Sequence, residues 1–226
     1  MRILCIDTSG GTAVALVDVP GPGPTAVLGA ARSDDPRRHA EVLTPLMREV
    51  LGADGMAGVD AVAVGTGPAP FTGLRVGLVT ARALGRAAGV DVLGACSLDV
   101  LARQALDAGA EEVLVATDAR RKEVYWARYR ARGRDDVERL DGPQVGRAAD
   151  VARPEAAVVG SGAALYPAEL PPTPGLPDRL DPAVLARVVR DRLARRAAGE
   201  DVELGTEPRY LRRPDVHLAA APKRAS

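Results

Sequence analysis

The order in which apolar runs and turn residues alternate constrains this chain more than any single residue does. Residues 2–6 (RILCI) are a short apolar run stopped by Asp7-Thr8-Ser9-Gly10-Gly11, whose chemistry suits a hairpin turn. Residues 12–18 (TAVALVD) read as a second strand and, after a Pro/Gly loop over 20–24, residues 25–32 (TAVLGAAR) as a third. The character then changes. Val42, Leu43, Leu46, Met47, Val50 and Leu51 recur at helical spacing and predict a helix over 39–51, with Pro45 as a kink or a late start near Thr44. Residues 52–58 end it, and residues 59–64 read as a buried strand. A Gly/Pro loop follows, then a helix over 72–88, a strand over 90–95 and a helix over 97–106.

Three meandering strands followed by helix, strand, helix, strand, helix predict a mixed sheet with helices on both faces, the ribonuclease-H-like pattern. The pattern then restarts. Residues 112–129 (EVLVATDARRKEVYWARY) read as strand, turn, strand, with Asp118 ending the first as Asp7 ends its counterpart. Val14 and Leu16 match Tyr125 and Ala127 at equal offsets from those aspartates, so the second hairpin is either a duplicated lobe or a chance likeness. Residues 156–163 read as a strand entering a Gly loop, and 167–182 as a Pro-rich connector. Asp181 is placed to cap a helix over 182–198 with Val184, Leu185, Val188, Val189 and Leu193 inward. The expected division is an N-terminal lobe over 1–106, a smaller C-terminal lobe over 107–216 that carries this helix, and a flexible tail over 217–226 containing His217.

Composition removes several function classes. Thirty basic and thirty acidic residues cancel, so no global attraction to nucleic acid or anionic lipid is implied. Aromatics are 3%, too few for a single-strand-binding platform. Any nucleic-acid contact would therefore be local, through Arg120-Arg121-Lys122 or Arg212-Arg213, which read equally as solvated faces. Cys5 and Cys96 sit in apolar runs without metal-ligand spacing, which argues against a disulfide framework and a zinc site. A secretory signal and a spanning helix are not expected, and a reducing cytoplasm is the expected compartment.

Two segments carry the candidate chemistry. Asp7-Thr8-Ser9-Gly10-Gly11 could hold a hydrated magnesium and offer backbone N–H groups to a phosphate, or be simply a tight turn. Residues 65–77 (GTGPAPFTGLRVG) link a strand to a helix that Thr72 could cap, with Arg75 adding positive charge. The Gly-Lys-Ser/Thr ending of a P-loop is missing, and Pro70 stands at the third glycine of a dinucleotide fingerprint. Gly73, Gly77, Ala81 and Gly85 form a small-residue stripe that lets another helix approach, within the chain or across an interface. His39 reads as a hydrogen-bonding residue rather than a metal ligand, and no hydrolase triad or two-metal nuclease cluster can be assembled.

Taken together, IDTSGGTAVAL (6–16), RRHAEVLTPLMREVL (37–51), GTGPAPFTGLRVGL (65–78), TDARRKEVYWARY (117–129) and EPRYLRRPDV (207–216) resemble the TsaB (YeaZ) family. The resemblance spans residues 1 to about 216, with Ala69-Pro70 where the family usually has Gly-Ser. It implies an α/β fold of the actin, Hsp70 and sugar-kinase class with two ribonuclease-H-like lobes. It also implies a subunit, not itself an enzyme, of the machinery that makes threonylcarbamoyladenosine (t6A) on tRNA. The related catalytic TsaD subunit carries a metal-binding His-x-x-x-His pair, and the matching positions here are Ser97 and Leu101. Nucleotide-loop remnants fall on Asp7, Thr8, Ser9, Gly10, Asp118, Gly160 and Gly162, so ATP or ADP with magnesium is the only cofactor in view and none is required.

The partners implied are a TsaD-like subunit, a TsaE-like ATPase, tRNA indirectly through the complex, and a second copy of the chain, with no membrane. The expected partner surface is a helical bundle with Leu43, Leu46, Met47 and Val50 as knobs and Gly77, Ala81 and Gly85 as holes. The competing reading is an independent small ATPase or phosphotransferase that uses Asp7, the 65–77 loop and Asp118.

Overall fold

A computed structural model describes residues 1–21, 25–35, 38–151 and 155–212. Arg213, His217 and the tail expected over 217–226 lie outside the described residues. The chain runs β1 (Arg2–Asp7), β2 (Thr12–Asp18), β3 (Ala26–Ser33), α1 (His39–Leu51), β4 (Ala61–Gly65), α2 (Phe71–Ala88), β5 (Asp91–Ala95) and α3 (Ser97–Asp107). It continues with β6 (Glu112–Arg120), β7 (Glu123–Arg132), β8 (Asp136–Arg147), β9 (Ala157–Val159), α4 (Ser161–Leu165) and α5 (Pro182–Ala197).

The first sheet has the order β3-β2-β1-β4-β5, antiparallel at its meander edge and parallel from β1 onward. The second, β8-β7-β6-β9, repeats the first four positions, including the parallel pair beside its first strand. The likeness extends to register: Ile6 faces Val14, and Thr117 faces Tyr125, each one residue before its aspartate. The repeat is thus a second lobe, and the fold is the expected one, two ribonuclease-H-like sheets in an actin-like arrangement.

Strand alternation divides each sheet between two cores. Leu4, Ile6, Val14, Val62 and Val64 point to α1 and α2, whereas Ile3, Cys5, Ala15, Val17, Ala61 and Ala63 point to α5. On the second sheet Val113, Val115, Ala127 and Tyr129 meet α3, and Leu114, Ala116, Val124 and Trp126 meet α4 and the loop around Leu170. The helices are therefore exchanged: α3 covers the second sheet and α5 the first. A boundary at residue 106 separates the two sheets, and α3 and α5 pack against each other across it, with Val100 of α3 in the core that α5 covers.

Several local readings need correction. α1 runs unbroken through Pro45, which sits on the exposed side where water can satisfy the carbonyl that loses its donor. α2 starts at Phe71 with Pro70 before it and no side-chain cap, so Thr72 caps nothing. The expected Gly loop after residue 159 is the one-turn α4. β8, absent from the sequence reading, is a half-exposed edge strand tied to β7 by the Arg130–Glu138 pair, Nε to Oε2 at 2.9 Å. The Asp181 cap forms as expected, its Oδ1 accepting from the Ala183 N–H at 2.8 Å.

Candidate functional site

Asp7 ends β1 at the floor of a cleft between the two sheets and is 3% exposed. Its Oδ1 accepts from the Ser9 N–H (2.8 Å) and the Ser9 hydroxyl (2.6 Å), and its Oδ2 accepts from the Ser97 hydroxyl (2.6 Å). Ser97 Oγ in turn accepts from the Gly67 N–H at 3.2 Å, so the first turn of α3, the β1 tip and the β4–α2 loop close on one carboxylate. Burial pushes the Asp7 carboxyl up, against the hydrogen bonds from Ser9 and Ser97 that hold it down. Gly65 is required here because a Cβ would stand 1.7 Å from Asp7 Oδ2.

Thr8 donates to the Gly73 carbonyl at 2.9 Å, and Thr12 Oγ1 and His39 Nδ1 are 2.9 Å apart. His39 is therefore a hydrogen-bonding residue that ties α1 to β2, as the sequence suggested.

On the opposite wall, Asp118 is held by its neighbours. Its Oδ1 accepts from the Arg120 N–H at 2.7 Å, its Oδ2 pairs with Arg120 Nη1 at 3.1 Å, and its own N–H donates to Ser161 Oγ at 3.2 Å. Gly160 and Gly162 do not line the cleft. A Cβ at Gly160 would meet the Ala116 carbonyl at 2.4 Å, and one at Gly162 would meet Val124 at 2.8 Å, so both let α4 lie on β6. Asp7, Thr8, Ser9, Gly10 and Asp118 thus share a cleft of about 550 Å³, and the two remaining glycines serve packing.

The cleft does not fit a magnesium–nucleotide. A hydrated magnesium is held through ionised oxygens, yet both Asp7 oxygens are already occupied and both Asp118 oxygens face Arg120. Among the described residues no group of three His, Cys, Asp or Glu side chains is placed to hold a metal ion. Ser97 and Leu101 are both buried on α3, Ser97 engaged with Asp7 and Leu101 in the core against β6. The centre of the site is therefore a fixed hydrogen-bond set around Asp7.

The expected partner residues point the other way. Leu43, Met47, Val50 and Ala81 are buried against the first sheet, and Leu46 is half-buried against the same core. The stripe on α2 is consumed internally: a Cβ at Gly73 would meet His39 Nε2 at 2.7 Å, one at Gly77 Thr8 Oγ1 at 2.5 Å, and one at Gly85 Val92 Cγ2 at 2.2 Å. These positions are not an exposed set of knobs and holes. A small-residue stripe reads the same whether its neighbour belongs to the chain or to a partner. What α2 does leave uncovered is Val79, 64% exposed, with Ala83 one turn on and Val76 half-buried beside it.

Sequence reasoning missed the role of Ser97, although its place at the helix start after β5 was the available signal. It also missed Tyr210, whose ring stacks on Phe71 with centroids 4.8 Å apart. The family model for TsaD, tRNA N6-adenosine threonylcarbamoyltransferase, matches residues 33–170. An uncharacterised protein of Mycobacterium tuberculosis is 41% identical over 216 residues, 95% of this chain and 93% of that protein. The tRNA threonylcarbamoyladenosine biosynthesis protein TsaB of Escherichia coli is 36% identical over 132 residues, 57% of this chain and 55% of that protein. The solved structure of YeaZ from Pseudomonas aeruginosa superposes with a TM-score of 0.74 at 32% identity, covering 93% of this chain and 99% of that one.

Proposed function

This chain belongs to the TsaB, or YeaZ, family, and on that premise we propose that it is a non-catalytic subunit of the t6A-forming machinery. It pairs with a TsaD-like catalytic subunit and supports threonylcarbamoyl transfer to the adenosine beside the anticodon. One observation carries the non-catalytic reading: the cleft centre is a closed set of Asp7, Ser9, Ser97 and the Gly67 N–H, with Ser97 where the resemblance to TsaD calls for a histidine. Pairing runs through the outward side of α1 and α2, around Val79, Val76 and Ala83, while the inward side holds the lobe together. A TsaE-like ATPase joins that pair, and the same helices can meet a second copy when the partner is scarce.

Calorimetric titration against the TsaD-like subunit of the same organism, with size exclusion of the mixture, tests the reading. One-to-one association, and t6A formation that depends on it, is the expected result. Absence of association, together with ATP turnover by the isolated chain that Asp7→Asn removes, would replace it with an independent phosphotransferase.

A further inference from the structure

The segment after α5 assembles a second surface that the cleft chemistry does not use. The Gly94 N–H donates to the Leu204 carbonyl and the Arg209 N–H to the Thr66 carbonyl, both at 2.9 Å, which lays this segment along the end of the first sheet. Tyr210 is thereby brought onto Phe71 with 28° between the ring planes, although α3, the second sheet and α5 separate the two in sequence. Both rings are 38% exposed, and Phe71 is the chain's only phenylalanine. The Arg75 guanidinium lies 3.5 Å from the Phe71 centroid, and its Nε donates to the Tyr210 hydroxyl at 2.7 Å.

Across a shallow hollow of about 180 Å³ stands the turn between β6 and β7, contributing Ala119, Arg120 and Arg121, with Arg212 beside them. Arg120, Arg121 and Lys122 all hold left-handed backbone, with φ of 64°, 54° and 62°. Three successive long side chains in that region are a strained way to make a turn that Asn-Gly makes freely, and strain of this kind concentrates at functional surfaces. Its effect is to gather three cations at one tip. Arg212 donates to the Ala119 carbonyl at 2.8 Å and pairs with Glu123, and Arg120 pairs with Asp118. Among the described residues, Arg75, Arg120, Arg121, Lys122 and Arg212 stand beside two carboxylates, Asp118 and Glu123, in a chain whose net charge is zero.

We propose that this hollow binds an RNA strand, with a base on the Phe71–Tyr210 pair and the phosphodiester on Arg120 and Arg121. The inference rests on the t6A reading, which makes RNA the substrate of the assembly, and adds a direct contact from this subunit. Aromatic rings stack bases of any sequence. The guanidinium fork matches phosphate oxygens. An acidic protein segment would use the cations but has no need of half-exposed aromatic rings beside them. The low aromatic content argued against a stacking platform only because composition averages over the whole surface; the fold puts two of the few rings together.

The test is fluorescence anisotropy of the full chain, alone and with the TsaD-like subunit, against a labelled RNA stem-loop at several salt concentrations. Phe71→Ala is expected to weaken binding by about 5- to 100-fold with an unchanged salt slope. Arg120→Asn with Arg121→Asn keeps residues that tolerate left-handed backbone and is expected to flatten the slope of log affinity against log salt by about 1.5. Equal affinity of wild type and both variants overturns the inference, as does binding of a polyglutamate peptide in preference to RNA. RNA binding through the hollow without pairing to the TsaD-like subunit would leave this inference standing and sink the subunit reading. Pairing with an RNA affinity indifferent to both variants does the reverse.

Discussion

Asp7 and Asp99 are both buried carboxylates, and their surroundings push them in opposite directions. Asp7 receives only hydroxyl and amide donors, so burial prevails and its carboxyl is raised. For Asp99 burial alone would also raise it, but the Arg139 and Arg192 guanidinium groups outweigh that and hold it below the usual carboxylate range. The stability effects follow. The contribution of Asp7 is full below the unfolded value near pH 4 and is lost as pH rises through its raised native value. Asp7→Asn keeps the acceptor for Ser9 and can donate to Ser97 Oγ, so urea melts across pH 4 to 8 should show wild type losing stability relative to the variant as pH rises. A wild-type profile parallel to the variant would show that Asp7 is not raised. The aspartates at 7 and 118 were legible as matched positions of two hairpins because a period in the chain marks them, although β6 runs two residues past Asp118 to Arg120. Their hydrogen-bond partners were not, since Ser97 and Ser161 reach them only through the tertiary fold.

At the scale of elements, α1 and α2 show where periodicity informs and where it stops. The apolar spacing located α1 to the residue and α2 to within one residue, because burial of one face is what sets helical patterning. The same spacing cannot say which partner covers a face, and Leu43 and Met47 proved to meet the first sheet. Opposite outcomes are therefore expected from two substitutions. Leu43→Ala should cost about 2–5 kcal/mol of stability in chemical denaturation. Val79→Asp should change stability by less than about 0.5 kcal/mol and abolish pairing with the TsaD-like subunit in calorimetry. If Val79→Asp pairs at wild-type affinity, the interface is elsewhere. β8 escaped the sequence reading for a related reason. Its apolar residues, Val137, Leu140 and Val145, are too sparse for strand alternation, and pairing with β7 supplies what local pattern does not.

The two lobes are joined at the whole-molecule scale by ionic contacts where α3, β7, β8 and α5 meet. Asp99, 0% exposed on α3, accepts from Tyr129 Oη (3.0 Å), Arg139 Nε (2.8 Å) and Arg192 Nη2 (2.8 Å). Arg192 also reaches Asp136 at 2.7 Å, and Arg195 reaches the same carboxylate at 2.6 Å. Removing one partner strands the others in low dielectric, so Asp99→Asn should cost about 3–5 kcal/mol, read by urea denaturation at neutral pH. Because the Asp99 carboxyl is lowered, its stabilisation is present above the unfolded value near pH 4 and is lost as pH falls through the native one. A variant as stable as wild type would mean the contacts orient the lobes without holding them. The exchange of α3 and α5 has a further consequence during synthesis. Ile3, Cys5, Ala15 and Val17 form an apolar face whose cover, Ala183 to Val189, leaves the ribosome about 170 residues later. At about 5–20 residues per second that face waits on the order of ten seconds for its helix, and the nascent chain, rather than the finished protein, is the species chaperones must guard.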